Sequence, residues 1–184
     1  MRIFRIYRGY CLIGILCCLV IACAGCGYTT RSMISSLYQT IYIEPFINKI
    51  DITTDTSVAR GYKTYYPLLE NDITRQVIDD FIFDGNLKVA KHQEADLVLK
   101  GELVNYRKDA LRYTGADDDE VEEYRITIAV NLKLYDEGGE NLVWEVNNFA
   151  GDTTYFASGS ESTAIRNAVG DLSRRVIDRV VDVW

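Results

Sequence analysis

Four stretches of this chain alternate apolar and polar residues, and two others repeat apolar residues every third or fourth position. The clearest alternation covers residues 123–135. Tyr124, Ile126, Ile128, Val130, Leu132 and Leu134 fall on one face, and Arg125, Thr127, Ala129, Asn131 and Lys133 on the other, the pattern of a half-buried strand. Residues 97–107 read the same way, with Leu97, Leu99 and Leu103 opposite Lys100, Glu102 and Tyr106. After a turn over residues 136–140 containing Gly138-Gly139, the residues Leu142, Trp144 and Val146 share a face opposite Glu145 and Asn147, which predicts a hairpin. An earlier strand spans residues 38–46, with Ile41 and Ile43 opposite Tyr42 and Glu44, and stops at Pro45. Residues 87–90 make a short strand, Glu94-Ala95-Asp96 a turn, and the Thr- and Asp-rich residues 47–62 a loop.

Helical spacing appears twice. Over residues 65–83, Leu69, Ile73, Val77 and Phe81 form a stripe that Ile78 and Ile82 widen. Pro67 suits the first turn and Gly85 a left-handed stop. From residue 160 onward Ile165, Val169, Leu172, Val176 and Val180 form a second stripe, with Arg166, Arg174, Arg175 and Arg179 off it and Ser158 and Glu161 at capping-box spacing. Sheets with one apolar face are covered on that side only. The expected fold class is therefore α+β, a two-layer sandwich of two helices on one face of a four-stranded mixed β-sheet.

The first 25 residues follow a different pattern. Arg2, Arg5 and Arg8 precede an apolar run from Cys11 to Ala22, and no acid interrupts it. This is the order of a secretory signal, and the run is short of the ~20 apolar residues that an uncleaved membrane anchor needs. Cys23-Ala24-Gly25-Cys26 places small residues before a cysteine, a lipoprotein cleavage box that would leave Cys26 as the acylated N-terminus. Val20-Ile21-Ala22-Cys23 fits such a box at Cys23 as well. Neither cysteine is followed by Asp, so an inner-membrane retention signal of the enterobacterial kind is missing. The expected organisation is a signal peptide at 1–25, a lipidated tether at 26–37 and an α/β domain at 38–184.

Composition then narrows the function. Removing the first 25 of 184 residues leaves 159, one domain's length. The same cut takes away three arginines and shifts the net charge from −7 to −10. That balance argues against nucleic acid, whose binding needs clustered Lys and Arg. All five cysteines, Cys11, Cys17, Cys18, Cys23 and Cys26, lie in the leader or at its end, so the body has no disulfide or cysteine metal site. The single His92 has no nucleophile or carboxylate motif beside it. No phosphate-cradling glycine loop, G-x-S-x-G or HExxH is present, so no catalytic residue, metal site or cofactor is expected. The acidic run Asp117-Asp118-Asp119-Glu120, with Glu122 and Glu123, lacks the glycine and spaced glutamate of a calcium loop. It reads as a solvated hairpin tip, with weak divalent-cation binding as the alternative.

Several segments, in order, resemble one family. Gly27-Tyr28 follows the lipid box directly. Then come Glu44-Pro45-Phe46 with Asn48-Lys49, Phe83-Asp84-Gly85-Asn86-Leu87-Lys88-Val89, and Glu94-Ala95-Asp96-Leu97-Val98-Leu99-Lys100-Gly101-Glu102. Glu123-Tyr124-Arg125-Ile126-Thr127, Leu142-Val143-Trp144-Glu145 and Asp171-Leu172-Ser173-Arg174-Arg175-Val176 complete the series. Together they resemble the LPS-assembly lipoprotein family, LptE, over essentially the whole mature chain. In that family the lipidated cysteine precedes Gly-Tyr or Gly-Trp, which favours Cys26 over Cys23.

The resemblance implies a non-enzymatic outer-membrane lipoprotein that plugs the LptD β-barrel, assists its folding and binds lipopolysaccharide during insertion into the outer leaflet. It implies N-acyl and S-diacylglycerol groups on Cys26 and no other cofactor. Family members are linked to lipopolysaccharide through basic residues at the middle hairpin's tip and before the last helix. Here residues 114–123 and 152–163 contain no Lys or Arg, so those contacts do not carry over. The nearest cations, Arg107, Lys108, Arg112 and Arg125, stand on the hairpin stems and are the candidate lipopolysaccharide ligands. Rival readings are a lipoprotein that activates a peptidoglycan synthase or serves a curli-type secretion pore, and a periplasmic hydrolase.

Overall fold

The computed structural model describes residues 37–50, 66–114, 120–136 and 139–181. The leader, Cys23 and Cys26, most of the expected loop and Asp117-Asp118-Asp119 lie outside the described residues. The strands are β1 (Thr40–Ile43), β2 (Ile47–Asn48), β3 (Lys88–Val89), β4 (Leu97–Thr114), β5 (Glu120–Asp136) and β6 (Asn141–Phe156). The helices are α1 (Leu69–Asp84), between β2 and β3, and α2 (Glu161–Val181) at the end. The sheet order is β3-β1-β4-β5-β6, with β2 also on β4. Pairs β1–β3, β1–β4 and β2–β4 are parallel, and β4–β5 and β5–β6 are antiparallel. The mixed sheet and two-helix layer agree with the expected α+β class. The strand number differs because the two-residue pieces β2 and β3 join four longer strands.

β1 and β2 are one strand interrupted by Glu44-Pro45-Phe46. Both lie along the same edge of β4, opposite Leu97–Leu99 and then Glu102–Leu103. Pro45 has no N–H to continue the ladder, and the Phe46 amide turns away to donate to the Thr74 hydroxyl of α1 at 2.9 Å. The Phe46 ring, only 3 % exposed, lies over Gly101, where an added Cβ would sit 2.1 Å from it. Two of the family-like segments are therefore one contact: Gly101 is bare so that Phe46 can cross β4. Asp96 pins the other end of β1. Its Oδ2 accepts from the Gln39 and Thr40 amides and the Thr40 hydroxyl at 2.8–2.9 Å. The Gln39 bond first, and Thr40's with it, hold the Asp96 carboxyl below the ordinary aspartate range against the opposing effect of burial.

The core lies between the helices and one face of the sheet. Leu69, Ile73, Val77 and Phe81 of α1 and Ile165, Leu172, Val176 and Val180 of α2 meet Leu97, Leu99, Leu103 and the even-numbered β5 residues from Ile126 to Leu134. The helices lie side by side in the same direction: Asp72 and Arg75 flank Ser162 and Ile165, and Phe83 flanks Ile177. Helix α1 begins four residues later than expected, at Leu69, after Leu68 in a left-handed conformation (φ 61°). It ends as expected at Gly85, whose N–H bonds the Phe81 carbonyl at 3.1 Å. At α2 the capping hydroxyl belongs to Ser160, not Ser158, and takes the Thr163 amide at 3.4 Å.

Bulges produce the main departures from simple alternation. A register shift between Leu103 and Asn105 moves Tyr106, expected outside, into the core at 2 % exposure. A second shift, at Leu134/Tyr135, places Trp144 opposite Leu134 but Leu142 opposite Tyr135, leaving Leu142 52 % exposed. Ile82, expected to widen the α1 stripe, is exposed too.

The spacing of the helical layer depends on Gly151 of β6. A Cβ there would lie 2.4 Å from the Leu172 amide nitrogen of α2. Gly170, two residues before Leu172, would meet nothing within 4 Å. Gly151→Ala should therefore lower stability by about 1–3 kcal/mol, since helix backbone cannot yield as a side chain does. Gly170→Ala should raise it by about 0.5–1 kcal/mol through helix propensity. Urea unfolding of the two variants, read as midpoint shifts of opposite sign, checks both.

Candidate functional site

Two surfaces carry the charged residues that the sequence singles out. The first is the sheet face away from the helices. There Lys100 pairs with Glu44 at 3.2 Å, Lys133 with Glu145 at 3.4 Å, Arg107 with Asp109 at 2.6 Å and Arg125 with Asp152 at 3.8 Å. Lys133 and Glu145 face each other directly across β5 and β6, so the β-register itself makes the pair. Thr127 and Asn131 lie between these pairs, and Asn131 Oδ1 accepts the amide of Asn148, a residue at φ 54° in a β6 bulge. The face is polar, yet each of these cations stands beside an anion of the same chain.

The second surface lies where α2 starts above β4–β6. Lys108, on the side of Tyr106 after the bulge, places its Nζ 2.6 Å from Glu161 Oε2. The ammonium also lies 4.3 Å from the Tyr124 ring centroid and 5.5 Å from that of Tyr155, distances at which ring faces attract a cation. Tyr124 and Tyr155 stack at 5.6 Å, and the Tyr155 hydroxyl donates to Glu161 Oε2 at 3.3 Å. Burial works against the Lys108 charge, but the bonds to Glu161 and Tyr155 outweigh it and hold the ammonium's pKa above its ordinary value. Burial, reinforced by the Glu161 charge, pushes the neighbouring Tyr106 phenol up to about 12. Burial is also the main cause that raises Tyr155.

The four candidate cations thus do not converge. Arg107 and Arg125 share the outer face, where Asp109 lies opposite Arg125. Lys108 points to the helical side, its side chain only 19 % exposed. Arg112, nearer the hairpin tip, bonds Glu123 at 3.4 Å and approaches Glu122 at 4.0 Å. Sequence reading missed Glu161, Tyr124 and Tyr155 as partners of Lys108. Tyr124 alone carried a signal, its place on the apolar face of β5; Tyr155 on β6 and Glu161 on α2 carried none, and the bulge that turns Lys108 toward them has no Gly or Pro to announce it. His92 is exposed in a 3-10 turn, its ring edge-on to Tyr42 at 5.2 Å. Among the described residues no group of three His, Cys, Asp or Glu is placed to hold a metal ion.

These features define a class: a small two-layer α+β domain with a polar, internally paired sheet face opposite its helices. Among solved structures with this fold is the hypothetical protein CT253 from Chlamydia trachomatis, 12% identical at a TM-score of 0.51, over 78% of this chain and 95% of that one. A minor lipoprotein from Acinetobacter baumannii is 13% identical at a TM-score of 0.45, over 79% and 92% of the two chains. The rare lipoprotein B from Shewanella oneidensis is 11% identical at 0.41, over 77% and 94%. The first of these likenesses concerns the fold alone. No curated protein matches the sequence. The model of the LptE family, described as lipopolysaccharide-assembly, matches residues 38–180, and the chain belongs to that family.

The Lys108 cluster has an alkaline signature. A phenol whose folded pKa is raised stabilises the fold below its unfolded value and loses that contribution as pH rises through the folded value. For Tyr106 the window runs from the ordinary 10.0 to about 12. Lys108, also raised, works in the same sense. Stability should fall over that range, and Tyr106→Phe should flatten the fall while leaving neutral-pH stability within about 1.5 kcal/mol. Lys108→Met should cost about 1–3 kcal/mol at neutral pH by removing the charge-assisted 2.6 Å bond to Glu161. Urea midpoints across pH 7 to about 12 test all three expectations.

Proposed function

We propose that this chain is a non-enzymatic outer-membrane lipoprotein that seats in the lumen of the LptD β-barrel, assists its assembly and helps lipopolysaccharide reach the outer leaflet. The observation that carries the reading is the family match across residues 38–180. The outer sheet face supports it. Barrel lumens are polar, and a face whose charges are already paired can enter one without stranding an ion. In this reading residues 1–25 are a signal peptide, 26–37 a tether, and Cys26 carries the acyl chains, with Cys23 as the alternative. One chain gives marginal membrane binding and two or more give stable anchoring, so a tri-acylated Cys26 would hold the domain where its barrel is built. Lipid phosphates would be received by the hairpin-stem arginines Arg107, Arg112 and Arg125; Lys108, expected among them, is held instead by Glu161 and two tyrosine rings.

Two measurements test this. The tagged lipoprotein, pulled from detergent-solubilised outer membrane, should bring down an LptD-sized β-barrel; recovery of a peptidoglycan synthase or a ring-forming oligomer instead would remove the barrel role. Cys26→Ala combined with Cys23→Ala should leave the protein soluble or mislocalised, and its recovery in outer-membrane fractions at the wild-type level would remove the anchor.

A further inference from the structure

The helical layer ends in a surface that neither the core nor the paired sheet face uses. Phe83, in the last turn of α1, is 94 % exposed, and Ile82 before it is 63 % exposed. The Gly85 cap is made by backbone alone, so Phe83 has no part in closing the helix. Beside it opens a hollow of about 570 Å³ between the two helix ends, lined by Phe83, Ile177, Asp80, Asp84, Asp178 and Arg174. A single exposed apolar side chain needs no explanation. Two in succession, beside an apolar-floored hollow, form a patch of the kind that partners cover.

The electrostatics say what kind of partner. A helix C-terminus carries partial negative charge and favours Lys or Arg nearby. Both helices end here, pointing the same way. α1 places Glu70 and Asp72 in its first turn, as the dipole prefers, yet has no basic residue in its last. Asp84 stands there instead, with Asp80 one turn before it, and among the described residues their hydrogen bonds come from the neutral amides of Gln76 and Asn86. Arg179, the basic residue in the last turn of α2, lies over the Trp144 ring at 5.6 Å. The hollow's own cation, Arg174, leans on Asp171 at 3.8 Å and on the Gly170 carbonyl at 3.3 Å. An aromatic knob is thus surrounded by carboxylates that the fold leaves electrostatically unbalanced.

We propose that the Phe83 end of the helical layer is a docking surface for a cationic, apolar segment of a partner protein: Lys or Arg beside aliphatic or aromatic side chains. The cations meet Asp80, Asp84 and Asp178, and the apolar side chains pack on Phe83 and Ile177. The surface lies on the helical layer, not on the sheet face assigned to the barrel lumen, and it stands whether or not that assignment holds.

The test is site-specific photocrosslinking in intact cells, with Ile82 of the full-length protein replaced by a photoreactive phenylalanine analogue and the captured segment sequenced by mass spectrometry. The expected adduct is a segment of another protein that carries Lys or Arg among apolar residues. Phe83→Ser should cut its yield about tenfold, as loss of an anchoring aromatic does. Asp84→Asn with Asp178→Asn should lower it comparably, with the melting temperature unchanged in both variants because the residues are exposed. A lipid adduct, a second copy of this chain, an acidic or uncharged segment, no adduct, or an adduct indifferent to these substitutions would each overturn the proposal.

Discussion

Leu172 rests against the bare backbone of Gly151, and the helical layer takes its height above the sheet from that contact. A Cβ at position 151 would come within 2.4 Å of the helix backbone. At the height that glycine permits, Ala168, Leu172, Val176 and Val180 join Ile128, Val130 and Leu132 in one buried core. Interiors packed at crystal-like density tolerate little adjustment, so the position of α1, which lies against α2, follows from the same contact. On the same face of the sheet, beneath α1, the corresponding device stands at Gly101, where the Phe46 ring crosses β4 and its amide is handed to Thr74. Each half of the two-layer fold is held by one missing side chain on a strand.

That arrangement explains how much of the fold was legible. Period-two and helical patterns identified β4, β5, β6 and both helices, because a sheet covered on one face sorts its residues by parity. Parity also located the errors. Tyr106 and Leu142 were assigned to the wrong faces because a bulge inserts one residue and reverses every assignment beyond it. The bulge near Val104 has no glycine or proline, so nothing local announces it. β2 was hidden for another reason: two residues, Ile47 and Asn48, cannot display a period, and they pair only because β4 runs past Pro45.

The candidate site was less legible than the fold, and for a physical reason. Lysine and arginine on strand stems look alike in a sequence, whereas their worth depends on what lies across the sheet. Lys108 owes its partners to the reversed parity, to Tyr155 across β5 and to Glu161 more than fifty residues on. No local pattern encodes a contact of that separation. The family-like segments were informative because they mark the two close approaches, Phe46 with Gly101 and Leu172 beside Gly151, and not because they mark ligands.

The same geometry divides the four cations by how readily a lipid phosphate could claim them. Exposed ion pairs contribute about 0–1 kcal/mol each. Arg107, Arg112 and Arg125, with side chains 46–61 % exposed, could exchange their carboxylates for a phosphate at small cost. Lys108 could not. Its side chain is 19 % exposed and its ammonium is held by a 2.6 Å bond to Glu161 and two tyrosine rings, and removing it from that nest would break the bond that ties the first turn of α2 to β4. Lys108 therefore belongs to the joint between α2 and the sheet, and a phosphate meeting this hairpin would find the arginine forks, which match its oxygens in pairs. With the hairpin tip devoid of cations, that places any anion contact lower on the stems, beside the sheet face that the domain turns away from its own core.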